Sequence, residues 1–168
     1  MTRLSSALLV FSTILLTACS ESASPPCADT EPVRALTSTP ILRLEYGTSF
    51  GYCIGYCKTW IEASEGGVMY TKTGWHDITP VSCSTTLPCQ AWAEKWADLV
   101  SAIDLEAFEN LDEVIGCPDC TDGGAEWLEI VTLKGRHKVT YEYTAPPEPI
   151  KAYRDALFEL KESFNKCE

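Results

Sequence analysis

Apolar and polar positions divide the chain into segments with two different periods. In residues 41–46, Leu42, Leu44 and Tyr46 alternate with Arg43 and Glu45, the two-residue period of a half-buried strand. Segments 58–63 and 68–73 flank Ser64-Glu65-Gly66-Gly67 and read as a hairpin, and 77–82 adds a further short strand. The period then lengthens. Trp92, Trp96, Leu99, Val100 and Ile103 recur at helical spacing, with Pro88 placed to open the turn and Glu94, Lys95 and Asp98 outside. A second short helix is expected over 105–111, capped by Asp104. Segments 125–133 and 137–143, joined by Lys134-Gly135-Arg136, form the clearest hairpin; Val139, Tyr141 and Tyr143 share one face, Lys138, Thr140 and Glu142 the other. Pro146, Pro147 and Pro149 end the sheet, and Ile150, Tyr153, Leu157, Leu160 and Phe164 make the apolar stripe of a last helix.

Strands, helix, strands, helix, connected through hairpins rather than crossovers, is an α+β order. The expected architecture is an antiparallel sheet built from hairpins, with two main helices packed on one face and disulfide staples. Trp92, Trp96, Leu157 and Leu160 are expected to meet Val139, Tyr141 and either Trp127 or Leu128 in the core.

Ahead of this domain, residues 7–16 form an apolar block too short to span a bilayer, behind Arg3 and before Leu16-Thr17-Ala18-Cys19. That run resembles the cleavage and lipidation signal of bacterial lipoproteins. The resemblance implies a signal peptide over 1–18, a diacylglycerol thioether on Cys19, and N-acylation with a chain such as palmitate. More than one acyl chain makes a stable membrane anchor. Ser20, rather than Asp, after the cysteine resembles the outer-membrane address of enterobacteria-like systems, which places the chain in the cell envelope. Residues 19–40, rich in Ser, Thr, Ala and Pro without apolar periodicity, read as a flexible tether, and 41–168 as one α+β domain.

The net charge is −11, from 24 acidic and 13 basic residues, and loss of Arg3 with the leader takes it to −12. Such acidity argues against nucleic acid and against adhesion to anionic lipid headgroups, and suits a basic protein partner or loosely held divalent cations. With Cys19 assigned to lipid, Cys27, Cys53, Cys57, Cys83, Cys89, Cys117, Cys120 and Cys167 remain. An even set outside the cytoplasm reads as four disulfides, for which about 105 connectivities exist. Proximity favours Cys53–Cys57, Cys83–Cys89 and Cys117–Cys120, leaving Cys27–Cys167 by elimination.

Gly51, Cys53, Cys57, Trp60, Gly66, Gly67, Val68 and Tyr70 resemble the opening of a bacterial envelope domain family with a Gly-x-Cys-x-x-x-Cys start. Many members carry Pro directly after the second cysteine, where this chain has Lys58. The resemblance extends more weakly over most of 41–164. It implies the fold and the envelope location, and it carries no activity.

Cys117-Pro118-Asp119-Cys120 is the sharpest chemical motif. Such a pair exchanges disulfides when a helix N-terminus stabilises the first thiolate. Here Thr121-Asp122-Gly123-Gly124 and a strand follow, and Asp119 and Asp122 would raise the thiol pKa, so a structural bridge is expected and a thiol–disulfide oxidoreductase is the alternative. Zinc on Cys53/Cys57 with Cys117/Cys120 competes with oxidation of the same thiols. Asp119, Asp122 and Glu126 lack the spacing of a calcium loop. His76 and His137 sit in no nucleophile or zinc-protease motif. No cofactor or metal is therefore expected. Phe50, Tyr52, Tyr56 and Trp60 are candidates for a binding patch, with strand alternation expected to bury about half of them. The reading favours a lipid-anchored, non-enzymatic envelope domain that binds an envelope protein or small ligand, or serves a structural role.

Overall fold

A computed structural model describes residues 39–168 apart from 77, 85, 86, 165 and 168. Residues 1–38, with the expected leader, Cys19, Cys27 and most of the expected tether, lie outside the described residues, as does Asp77, the expected start of the fourth strand. Seven strands form one sheet: β1 Ile41–Ser49, β2 Lys58–Ser64, β3 Gly67–Thr73, β4 Val81–Ser84, β5 Val114–Ile115, β6 Ala125–Thr132 and β7 Gly135–Glu142. Three helices accompany them: α1 Cys89–Ser101, α2 Leu105–Glu109 and α3 Lys151–Glu162. The strand order β4-β3-β2-β1-β6-β7-β5 puts β1 at the centre.

The α+β class and the largely antiparallel sheet agree with the hydrophobic pattern. One connection does not. Between edge strand β4 and the opposite edge strand β5 the chain runs through α1 and α2, and β5 pairs parallel to β7 through Val114↔Thr140 and Ile115↔Tyr141. The expectation of hairpins throughout is corrected here. Two residues are too few to show a period, so β5 could not be read from alternation.

Register explains the core. Leu44 lies opposite Ala63 and Ile130, and Tyr46 opposite Ile61 and Leu128, so one face of three adjacent strands is apolar. Val139, opposite Leu128, extends that face, and Trp92, Leu99, Phe108, Tyr153, Leu157 and Leu160 from the helices join the same buried cluster. Each fully buried Leu or Ile contributes about 1.5–3 kcal/mol relative to exposure. Trp92 also donates its indole N–H to the Ser64 carbonyl at 2.8 Å, which fixes the start of α1 over the β2–β3 turn. Asp104 caps α2 as its position suggested, accepting from the Ala107 N–H at 3.0 Å. Of the Trp127/Leu128 alternative, Leu128 takes the core.

Trp127 points to the other face, which is covered by its own long side chains. Its indole N–H donates to Glu45 at 2.7 Å, and the ammonium groups of Lys58 and Lys138 lie 5.0 and 4.7 Å from its ring centre. Arg43 bridges Glu62 and Glu129 at 3.0 and 3.1 Å, and Trp60 donates to Glu62 at 3.1 Å. Cations over indole faces and aliphatic stems over the sheet exclude water from the strand residues beneath them. Burial lowers the Lys138 pKa, while the nearby Glu45 carboxylate opposes that shift.

Two local disulfides form as spacing predicted, Cys53–Cys57 and Cys117–Cys120. The third does not. Cys83 joins Cys167 across 84 residues, so the expected Cys83–Cys89 and Cys27–Cys167 pairs are replaced. Cys83 faces the core side of β4 opposite Tyr70, where the chain leaving α3 arrives and Phe164 stacks on Tyr70 at 5.7 Å. The Lys72 ammonium donates to the Cys167 carbonyl at the same place. A loop of this length corresponds to about 4–5 kcal/mol in the chain-entropy model, more than a short local bridge supplies.

The close approach of Trp127 to the centre of β1 is possible only at glycine: a Cβ on Gly47 would lie 2.1 Å from the nearest indole carbon. Gly47→Ala should therefore destabilise the domain by about 1–3 kcal/mol through overpacking, read as a lower denaturant midpoint with an unchanged m-value.

Candidate functional site

At one end of the sheet three loops meet. They are the 50–57 loop between β1 and β2, residues 74–76 after β3, and the 116–124 loop between β5 and β6. Asp119 ties two of them together, accepting from the Gly51 N–H at 3.1 Å and the Gly124 N–H at 3.2 Å. Trp75 ties in the third, donating its indole N–H to the Phe50 carbonyl at 2.7 Å. Phe50 itself packs edge-on to Tyr143 at 4.9 Å, beside Gly124, and its N–H donates to the Cys57 carbonyl at 3.0 Å.

The four aromatic candidates separate into two pairs. Tyr52 and Tyr56 are exposed on the Cys53–Cys57 loop, Tyr52 at 88 %, with Ile54 wholly exposed between them and Trp75 half-exposed alongside. Phe50 is half-buried as the pivot of the loop, and Trp60 is half-buried on the outer sheet face with Glu62. Ile54 and Trp75 were not singled out by sequence; for Ile54, an apolar residue among the three enclosed by Cys53 and Cys57 was the available signal. The Lys72 ammonium sits 4.6 Å from the Tyr56 ring centre and holds it against β3.

The Cys117–Cys120 bridge lies on the surface beside a cavity of about 320 Å³ lined by Thr121, Gly124, Glu142 and Tyr143. The Cys117 N–H donates to the Glu142 carboxylate at 2.8 Å. Only the three-residue 3-10 turn Cys120–Asp122 follows, with Thr121 inside it at φ +54°. A dipole-aligned helix that would stabilise a thiolate does not start here, and the surrounding carboxylates disfavour one. Asp119, Thr121 and Asp122 all adopt left-handed backbone, which Asp tolerates and β-branched Thr does not readily adopt. The Asp119 carboxylate and the disulfide hold the loop in that shape.

Beneath this end lies a cluster that sequence reasoning passed over. Glu126 faces the core with no exposed surface, in phase with Leu128 and Ile130. Its Oε2 accepts from Arg154 Nε at 2.7 Å and from the Tyr141 hydroxyl at 3.1 Å; its Oε1 accepts from the Thr144 N–H at 3.1 Å and from Arg154 Nη2. All four acceptor positions of the carboxylate are occupied, which leaves none to take a substrate proton. Glu126 thus acts as a clasp between α3 and the sheet. It is not grouped with Asp119 and Asp122, and among the described residues no cluster of three His, Cys, Asp or Glu is arranged to hold a metal. A carboxylate at a core-facing position of a strand was the signal for it in the sequence. His137 is a packing residue, 5.2 Å from the Phe108 ring and hydrogen-bonded through Nε2 to the Leu111 carbonyl at 2.9 Å; His76 is exposed.

Burial raises the pKa values of Tyr46 and Tyr141, and the adjacent Glu126 charge adds to both; burial also raises that of Tyr153. The hydrogen bond to Glu126 holds the Arg154 guanidinium charged.

The chain matches no protein-family model, and no curated protein matches it. Among the described residues no helix is long and apolar enough to cross a membrane.

Two outcomes follow from the buried cluster. Glu126→Gln leaves the guanidinium with only the exposed Asp155 carboxylate, 2.9 Å from Nη1, as counter-charge and should cost about 3–5 kcal/mol, while the double variant Glu126→Leu with Arg154→Met should recover most of that loss in urea unfolding. The unfolded chain releases its tyrosine protons near pH 10, before folded Tyr46, Tyr141 and Tyr153 do. Stability is therefore full below about pH 10 and falls above it by roughly 1.4 kcal/mol per group per pH unit. Ionisation of these phenols at 295 nm should coincide with loss of near-UV circular dichroism; ionisation with that signal intact would contradict their burial.

Proposed function

We propose that this chain is a lipid-anchored, non-enzymatic domain of the bacterial cell envelope, displaying the loop end of its sheet to a protein partner. The observation that carries the reading is the exposed apolar set Tyr52, Ile54, Tyr56 and Trp75 on loops held rigid by Cys53–Cys57, by the Asp119 carboxylate and by the Trp75–Phe50 hydrogen bond. A preorganised aromatic patch binds without the ordering cost a mobile loop would incur. Tyr and Trp are enriched where binding energy concentrates. The Asp119 carboxylate reaches the base of the patch at Gly51, on a chain of net charge −11, so the fitting partner presents an apolar projection within a basic rim. The α1–α3 side of the sheet, which we read as one helical layer, is left as the structural half of the domain. Cys19 carries the anchor in this reading, and the likeness of residues 51–70 to the envelope domain family supports the same compartment.

A photo-reactive amino acid placed at position 54 in cells should give a discrete cross-linked product, and one at Leu133, 73 % exposed on the β6–β7 turn, should not. Tyr52→Ser with Ile54→Ser should reduce the yield at least tenfold when the reporter is moved to position 56, with Tm unchanged. Wild type should incorporate labelled palmitate and Cys19→Ser should not. Equal cross-linking at 54 and 133, or reduction of insulin disulfides by the reduced protein, would overturn the reading.

A further inference from the structure

We infer that Cys27 is the disulfide partner of Cys89, and that this bond turns a long tether into a short one. Cys89, the exposed first residue of α1, is disulfide-bonded. The other six cysteines of residues 39–168 are joined to one another as Cys53–Cys57, Cys83–Cys167 and Cys117–Cys120. The chain has nine cysteines, so the partner of Cys89 is Cys19 or Cys27. The choice rests on the lipid-anchor reading: a thioether on Cys19 leaves that sulfur unable to form a disulfide, and Cys27 alone remains.

The fold accommodates this bond. Trp92, one helical turn after Cys89, hydrogen-bonds to Ser64 at the end of β2, and Leu44 of β1 lies opposite Ala63 beside it. The start of β1 and the start of α1 thus lie at the same end of the sheet. Fourteen Cα–Cα steps separate Cys27 from Ile41, a reach of up to about 49 Å, which is ample for a path between two points at one end of a small domain.

The consequence is positional. Without the bond, the lipid on Cys19 connects to the domain through 22 residues up to Ile41, about 77 Å fully extended; with it, the first attachment is eight residues away, at most about 28 Å. The α1 N-terminus is then the membrane-proximal corner. The Cys53–Cys57 loop sits at the opposite end of the seven-residue β2 from that attachment point. A patch at the end farthest from the attachment point is left free to meet a protein of the surrounding compartment.

Peptide mapping without reductant tests the bond directly. A digest cutting after Glu21 and Arg34 separates Cys27 from Cys19, and the Cys27 fragment should be linked to the one containing Cys89. A Cys19–Cys89 link, or a Cys27 that alkylates without reductant, would overturn the inference. For the tether, a specific protease site inserted between Arg34 and Ala35 is cut on vesicles carrying the full mature protein. The domain should stay bound after cutting and appear in the supernatant at least tenfold more on adding dithiothreitol; Cys27→Ser and Cys89→Ser should each be released by cutting alone. Release of the unsubstituted chain without reductant would sink the short-tether claim. A domain found in the supernatant before cutting would instead refute the anchor on Cys19, and the Cys27–Cys89 link would then stand or fall on the peptide map.

Discussion

Glu126 holds the fold in register from a position with no access to solvent. Its carboxylate joins β6 to α3 through Arg154, to β7 through Tyr141, and to the chain after β7 through the Thr144 N–H. A buried ion pair adds little net stability over a well-packed apolar alternative, because desolvation offsets the attraction between the charges. It is exacting in geometry. α3 can dock only where the guanidinium fork meets the carboxylate, and that placement sends Leu157 and Leu160 into the core and Phe164 onto Tyr70. The Cys83–Cys167 bridge closes at the end of the same path.

The two faces of the sheet solve the problem of water in different ways. One packs into a cluster with Trp92, Phe108, Leu157 and Leu160; the other carries Trp60 and Trp127 with Lys58 and Lys138 over their rings and Arg43 paired to Glu62. Exposed apolar side chains on the body of the domain, Leu42, Met69, Val114 and Leu133, lie on separate elements, whereas Tyr52, Ile54, Tyr56 and Trp75 gather at the loop end. There the carboxylate of Asp119 and two short disulfides do the work that a hydrophobic core does elsewhere, fixing loops too small to bury anything. Sulfur in this region serves shape. The acid groups that brace the Cys117–Cys120 loop are the same ones that make it a poor place for a thiolate.

Much of the architecture was legible from period alone. The strands around Leu44, Ile61, Tyr70, Leu128 and Val139 and the helices around Trp92 and Leu157 lie where alternation and helical spacing put them, because one buried face imposes its period on every residue of an element. β5 escaped notice because two residues have no period. At the amino end of β1 a register irregularity between Ile41 and Arg43 breaks the simple alternation, and Leu42 lies exposed. Of the candidate site, the cysteine loop and its tyrosines were visible, whereas Trp75 joined them only through a hydrogen bond to Phe50, 25 residues earlier.

The sequence by itself determined the class of fold, the acidity, and the two disulfides whose partners sit within five residues, since local chain geometry brings such thiols together whatever the rest does. Tertiary structure alone decided that Cys83 meets Cys167 rather than Cys89, that Leu128 and not Trp127 faces the core, and that Glu126 finds Arg154. Each of these pairs residues across a sheet or between a helix and a strand. Which partners meet there is set by register and docking, and those emerge from the packing of the whole domain rather than from any segment of it.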